Sequence, residues 1–381
     1  MTPPATLRCL LPLCLAALLA ACGLGTPPAA ADAPPSAEVL RALTRGVNLS
    51  TWFTDRDAPN IRPQRWFADT SDFQLIRRLG LRHVRIPVSP AFLEDPAQAA
   101  TLRPDRLAEL RQAVAQAQSE NLLVIIALQP SSAIKQRLTD ERTLAALEAF
   151  WRALAQALAA APPQLLVFEA LNEPELEDAK HSQQVMQRLV TAIRDGAPKH
   201  SIVVAGHKFS GVEELVAMQP LPDRNLIYAF HFYEPHNFTH QGASWGWPLW
   251  AKFANWPYPS SPEAVAPLLE AADPEAREHL AWYGEQRWNR AKLGEWLDRA
   301  GLWAARNEVP IWCNEFGAVR DAMRPEARRA WLTDAHELLE ARRIPWSHWD
   351  YAGHFGLVSG DRGSRSLDPD AVAGLGLSGA R

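Results

Sequence analysis

From residue 44 onward, short apolar runs alternate with longer stretches whose apolar residues recur at helical spacing. The runs are Gly46–Leu49, Arg82–Val88, Leu122–Leu128, Leu165–Leu171, Ser201–Ala205, Asn225–Phe232, Val309–Asn314 and Pro345–Trp349. Runs of this length with little polar alternation read as strands buried on both faces, the kind found in parallel sheets. Helical spacing covers Asp72–Leu79, Pro104–Glu120, Asp140–Ala160, Lys180–Asp195, Val212–Ala217, Glu285–Asn307 and Pro325–Arg342. Gly80 supplies a helix stop after the first of these.

Eight strands with intervening helices over roughly 340 residues is the count of a (β/α)8 TIM barrel, an α/β fold. A doubly wound open sheet is the other candidate, but no Gly-x-Gly-x-x-Gly follows the first strand, so its dinucleotide-binding form lacks its fingerprint. One long insertion, residues 237–284, follows the sixth strand and is rich in Trp, Pro and Ser.

Composition changes this picture mainly at the N-terminus. The chain has 381 residues, 47% hydrophobic and 22% charged, with a net charge of −4, which argues against a nucleic-acid footprint or a polybasic membrane patch. Arg8 precedes the apolar run Cys9–Ala21, too short to span a bilayer but suited to a signal-peptide core. Residues 1–21 therefore read as a signal, 22–38 as a Pro/Ala-rich tether and 39–381 as the folded domain. With Cys9 and Cys14 in the signal, Cys313 is the one cysteine of the folded body, so a disulfide framework or cysteine metal site is not expected.

The strand ends carry the chemistry. In α/β barrels side chains at the carboxyl ends of strands converge on one face. Here those ends deliver Arg85, Asn172 and Glu173, His231 and Tyr233, Asn314 and Glu315, and Trp349. Each has a structural alternative: Asn172 and Glu173 as a helix cap, Arg85 and His231 as satisfied core residues. Together they are hard to explain as core, because unpaired buried charge is costly. Two glutamates flanked by Arg, His, Tyr and Trp suit cleavage of a glycosidic bond, where one carboxyl protonates the leaving oxygen and the other meets the anomeric carbon. An Arg and a Tyr hydroxyl favour the ionised form of one glutamate; the other, expected in an apolar site, would hold its proton. Five of the fifteen tryptophans, Trp245, Trp247, Trp250, Trp256 and Trp282, lie in the insertion and read either as a platform for a glycan or as a satellite hydrophobic cluster. His231, His236 and His240 match no standard ligand spacing, and no metal site is expected. Glu169, inside a buried run, has no assignable role.

Two resemblances sharpen these readings. Leu19-Ala20-Ala21-Cys22 before Gly23 resembles the bacterial lipobox, which implies lipidation of Cys22 and anchoring to a membrane on the outer-membrane or periplasmic side. Ordinary cleavage near residues 29–31, giving a periplasmic or secreted protein, is the alternative. Leu171-Asn172-Glu173-Pro174, His231-Phe232-Tyr233, Asn314-Glu315-Phe316-Gly317 and the run from Trp346 to Leu357 resemble glycoside hydrolase family 5, from about Arg45 to the segment Leu367–Leu377. That resemblance implies a cofactor-free retaining hydrolase of β-linked polysaccharide or oligosaccharide, an endo-β-1,4-glucanase of cellulase type, acting as a monomer. A β-1,3-glucanase, a mannanase, an exopolysaccharide or glycolipid glycosidase, and a non-catalytic glycan-binding lipoprotein are the alternatives. It implies Glu173 as acid/base and Glu315 as nucleophile, about 5–5.5 Å apart as retention requires. Asn172 would bind the sugar 2-hydroxyl, Arg85 and Tyr233 would orient Glu315, His231 would line the subsite beside Glu173, and Trp349 would form a floor. One departure stands out: the family's third strand commonly ends in His, and here Gln129 takes that place in the substrate site.

Overall fold

The computed structural model describes residue 31, residues 33–54 and residues 67–377. The signal, Cys22 and most of the tether lie outside the described residues. Eight parallel strands close into a barrel: β1 Arg45–Asn48, β2 His83–Val88, β3 Leu123–Leu128, β4 Leu166–Glu169, β5 Ser201–Ala205, β6 Leu226–Phe232, β7 Ile311–Phe316 and β8 Trp346–His348. Each strand pairs with its sequence neighbour, and β8 pairs β1 to close the ring. This is the (β/α)8 barrel expected from the apolar runs.

The strands are apolar on both faces because both faces are covered. Along β3, Val124 and Ile126 pack outward with the helices, whereas Leu123 and Ile125 join Val167, Val203, Ile227, Ala229 and Trp312 inside. A short helix, α1 Ala37–Ala42, is capped by the Ser36 hydroxyl and sends Val39, with Leu43 just past its end, into this inner cluster. The last two residues of the expected tether, Ala37 and Glu38, are thus helical and dock on the barrel. The outer layer is built from amphipathic helices such as α2 Glu141–Leu158, whose Leu144, Leu147, Trp151, Leu154 and Leu158 recur at three- and four-residue spacing and are buried.

One expected helix starts in the wrong place. The stretch Glu285–Asn307 divides into the end of α4 Pro274–Glu285 and a separate α5 Arg290–Asn307. The Asn289 side chain accepts from Lys292 N–H and starts the second helix. The insertion itself is partly helical, with α3 Pro262–Leu269 preceding α4.

At the floor of the barrel His83 fills the space that a side chain at position 46 would need: a Cβ on Gly46 would lie 2.0 Å from the ring. His83 Nδ1–H donates to Ala42 O at 3.0 Å, and Ser347 Oγ–H donates to Nε2. Burial holds this imidazole down at about 4. Above pH 6.5 the ring is neutral folded or unfolded; as pH falls toward 4 only the unfolded chain takes up the proton, so stability is lost, by about 3 kcal/mol for this group. The urea midpoint should fall between pH 7 and pH 4.5, and His83→Gln should show a smaller drop over the same interval.

Candidate active site

The upper half of the barrel interior is polar, and its centre is Arg85 on β2. All five guanidinium N–H groups are used. Nε and Nη2 grip Glu169 at 2.6 and 2.7 Å, Nη2 also donates to Asn172 Oδ1 at 2.6 Å, and Nη1 donates to Asn48 Oδ1 at 2.9 Å and Glu315 Oε1 at 2.7 Å. Arg85 and Glu169 are both fully buried. Burial opposes the charge on Arg85, but Glu169 and then Glu315 more than offset it and hold the guanidinium protonated. The role missing for Glu169 is therefore structural: it is the bidentate partner of Arg85, and it also accepts from Asn314 Nδ2 at 3.1 Å.

Glu315 reaches this cluster through an irregularity. Pairing of β6 with β7 runs Phe230↔Cys313 and then His231↔Glu315, a one-residue slip. A bulge of this kind lets successive residues turn to the same side: Asn314 bonds Glu169 while Glu315 meets Arg85, and Tyr233 O–H donates to Glu315 Oε2 at 2.9 Å. Glu173 follows β4 with a positive φ of 48°, a left-handed conformation that costs a non-glycine residue about 1–3 kcal/mol and is concentrated at functional sites. Its carboxylate receives His231 Nδ1–H at 3.2 Å and a long contact from Asn172 Nδ2 at 3.4 Å.

His231 bridges the two glutamates, with Nε2 3.5 Å from Glu315 Oε1. One atom each from Glu173, His231 and Glu315 lies within 4.8 Å of the others. Burial opposes ionisation of every member. For Glu173 it is overcome by the hydrogen bond and charge of His231, then by Lys135 and Arg85, which hold the carboxyl at about 2. For Glu315 burial prevails over His231, Arg85 and Tyr233 and, with the charge of Glu173, raises the carboxyl. Burial also opposes the charge on His231, and there the two carboxylates win and raise the ring. The apolar surroundings expected to keep Glu173 protonated are not what the structure shows: an imidazole and an ammonium stand beside the carboxyl and lower it, and the two carboxylates in turn raise His231.

These groups open into a cleft of about 790 Å³. Gln129, Asn172, Glu173, His231, Tyr233, Glu315 and Trp349 all line it. Arg85 lies beneath it, and Gln129 Oε1 is buried there with no hydrogen-bond partner in the protein. The five insertion tryptophans part company. Trp245, Trp247 and Trp250 line the cleft. Trp256 is core, stacked on Phe253 at 4.2 Å, and Trp282 is exposed on α4 away from the lining residues. His236 and His240 stack with each other and with Trp250, and among the described residues these histidines do not assemble with His231 into a metal-ligand group. Phe209, which lines the cleft and is exposed, and Asn48 and Lys135, which bond Arg85 and approach Glu173, are further members of the site that the sequence reading does not single out. Asn48, a polar residue ending a buried strand, was a readable signal; Lys135 and Phe209 lie in short connections without periodicity.

Paired carboxylates facing an aromatic-walled cleft at the top of a (β/α)8 barrel define a class, the glycoside hydrolases. Comparison with known proteins narrows it. Residues 42–354 match the family model for cellulase, glycosyl hydrolase family 5, and the chain belongs to that family. It is 26% identical over 356 residues to Endoglucanase 3 of Fibrobacter succinogenes, covering 88% of this chain and 53% of that enzyme, so it spans about half the length of that relative. It is 24% identical over 320 residues to Endoglucanase C of Acetivibrio thermocellus, covering 80% of this chain and 90% of that one. A solved endoglucanase structure superposes with a TM-score of 0.72 at 23% identity, covering 89% of this chain and 99% of the other.

Proposed function

We propose that this protein is a retaining endo-β-1,4-glucanase in which Glu315 is the nucleophile and Glu173 the acid/base. The observation that carries the assignment is the asymmetry of the two carboxylates. Glu315 is held from two sides by Arg85 and Tyr233 at the floor of the cleft, whereas Glu173 sits at its wall against a proton-bearing imidazole. Their closeness supports retention, since inversion needs carboxyls roughly 6.5–9.5 Å apart to admit a water between them.

In the first step a Glu315 oxygen bonds the anomeric carbon while the glycosidic C–O bond breaks. Glu173 protonates the departing oxygen with the proton that His231 Nδ1 passes across their 3.2 Å hydrogen bond. In the second step Glu173 takes a proton from water, the water oxygen bonds the anomeric carbon, and Glu315 leaves. Asn172 Oδ1 is occupied by Arg85, which leaves Nδ2 to donate to the sugar 2-hydroxyl. Trp349 lies under the ring being cleaved, and Trp245, Trp247 and Trp250 extend a stacking wall along the chain. A 2-deoxy-2-fluoro glycoside with a good leaving group should trap a covalent adduct whose peptide maps to Glu315; an adduct on any other residue overturns the assignment.

Gln129 Oε1, buried without a hydrogen-bond partner in the protein, presents an acceptor to a sugar hydroxyl where the family commonly has an imidazole, and it marks the position at which the choice of sugar is open to test. Sugars released from β-1,4-glucan, β-1,3-glucan and mannan decide that choice. The sequence at Cys22 supports export and a lipid anchor; fatty-acid labelling that disappears in Cys22→Ala is the expected result.

A further inference from the structure

Beside Glu173 lies a cation that the mechanism above does not use. Lys135 ends the short helix Ser132–Lys135 that follows β3, and its side chain is 4% exposed. Its ammonium is 3.9 Å from Glu173 Oε2 and 3.7 Å from Glu175 Oε1. Glu175 is anchored in turn by Ser132 Oγ–H at 2.7 Å and Gln136 Nε2–H at 3.0 Å. A buried ammonium aimed between two carboxylates is expensive unless both stay ionised. We propose that Lys135 is a positioning residue for the acid/base: shared between Glu173 and Glu175, its charge sets the pH above which the Glu173–His231 pair loses the proton needed for departure of the leaving group. The proposal rests on the acid/base assignment of Glu173.

The sign follows from the charges around that proton. Glu173 is faced by His231 and Tyr233 from β6 and the turn after it, Arg85 from β2, Glu315 from β7, His236 and His240 from the ends of the short helical turn that follows, Lys135 from the helix after β3, and Glu175 from its own loop. The proton is shared between Glu173 and His231, so its loss belongs to the pair. A neighbouring positive charge eases that loss, and removing it must delay it. Glu175 acts the other way, drawing part of the Lys135 charge away from Glu173.

Two substitutions should therefore move the alkaline limb of kcat/KM in opposite directions. Lys135→Met should shift it up by about 1 pH unit, the scale of one opposite charge at this range. Glu175→Gln should shift it down, and Lys135→Arg should stay near the wild-type limb. A residue that merely holds the loop would lower activity at all pH values and leave the limb where it was. An unmoved limb in folded Lys135→Met overturns the proposal; should that variant fail to fold, an unmoved or upward limb in Glu175→Gln overturns it. Glu173→Ala, assayed with an activated aryl glycoside, separates this from the parent assignment. If it keeps the wild-type alkaline limb, Glu173 is not the acid; if the limb disappears, the Lys135 and Glu175 shifts alone decide the proposal.

Discussion

Glu315→Ala is expected to lose roughly 10^5- to 10^6-fold in kcat, the scale seen when a covalent nucleophile is deleted, while keeping the fold. The two expectations have one physical source. Glu315 is 4% exposed, and burial raises its carboxyl even with Arg85 and Tyr233 beside it, so its charge is held at some cost to the folded state. Arg85 keeps Glu169, Asn172 and Asn48 when Glu315 is removed and is not orphaned. The variant should therefore unfold at a urea concentration equal to or above the wild type, as when a strained functional charge is deleted. Azide should restore part of the activity toward an aryl glycoside with a good leaving group. It would enter the space vacated by the carboxylate and give the glycosyl azide of inverted configuration. Glu173→Ala with azide should instead give the retained azide, because the nucleophile still acts first. The same product configuration from both variants would contradict the division of roles.

Much of this site was legible in the chain because a parallel barrel converts sequence position into height. A polar residue at the end of an unbroken apolar run must emerge at the carboxyl face, which is why the sequence alone gathers Asn172, Glu173, His231 and Glu315. Glu169 could be recognised only as an anomaly, because its partner lies two strands away. Ala127 pairs Glu169 and Ile125 pairs Arg85, so the two side chains meet only through the stagger of the closed ring. Lys135 could not be found from periodicity, since a four-residue helix has none. The insertion tryptophans looked equivalent in sequence; their separation into cleft, core and surface depends on how α3 and α4 fold against the barrel. The proton on Glu173 was misplaced for a related reason. Proton affinity follows the charges packed around a carboxyl, and the sequence shows neither that His231 donates to Glu173 nor that Lys135 stands beside it.

Glu169→Gln tests whether the buried ion pair supports the nucleophile or only the barrel. Glutamine keeps the shape but offers one oxygen and an NH2 that faces the guanidinium donors. Arg85 would lose its bidentate partner and remain a buried cation, and breaking a pair of this kind costs about 3–5 kcal/mol. The urea midpoint should fall accordingly. Activity should fall as well, by a separate route. With Glu169 neutral, the Arg85 charge is directed more fully onto Glu315, so the acidic limb of kcat/KM should move to lower pH. The guanidinium is also free to tilt, and a displacement near 1 Å costs on the order of 10²-fold in rate. The double variant Arg85→Met/Glu169→Leu separates stability from catalysis. Replacing both members of a buried pair with apolar side chains of similar size is often neutral or better for stability. It should recover most of the lost folding free energy while remaining at least as inactive as Glu169→Gln, because Glu315 then lacks its guanidinium. A double variant as unstable as the single one would mean that Asn48, Asn172 and Glu315 depend on Arg85 for folding as much as Glu169 does. A double variant with restored activity would remove Arg85 from the catalytic machinery altogether.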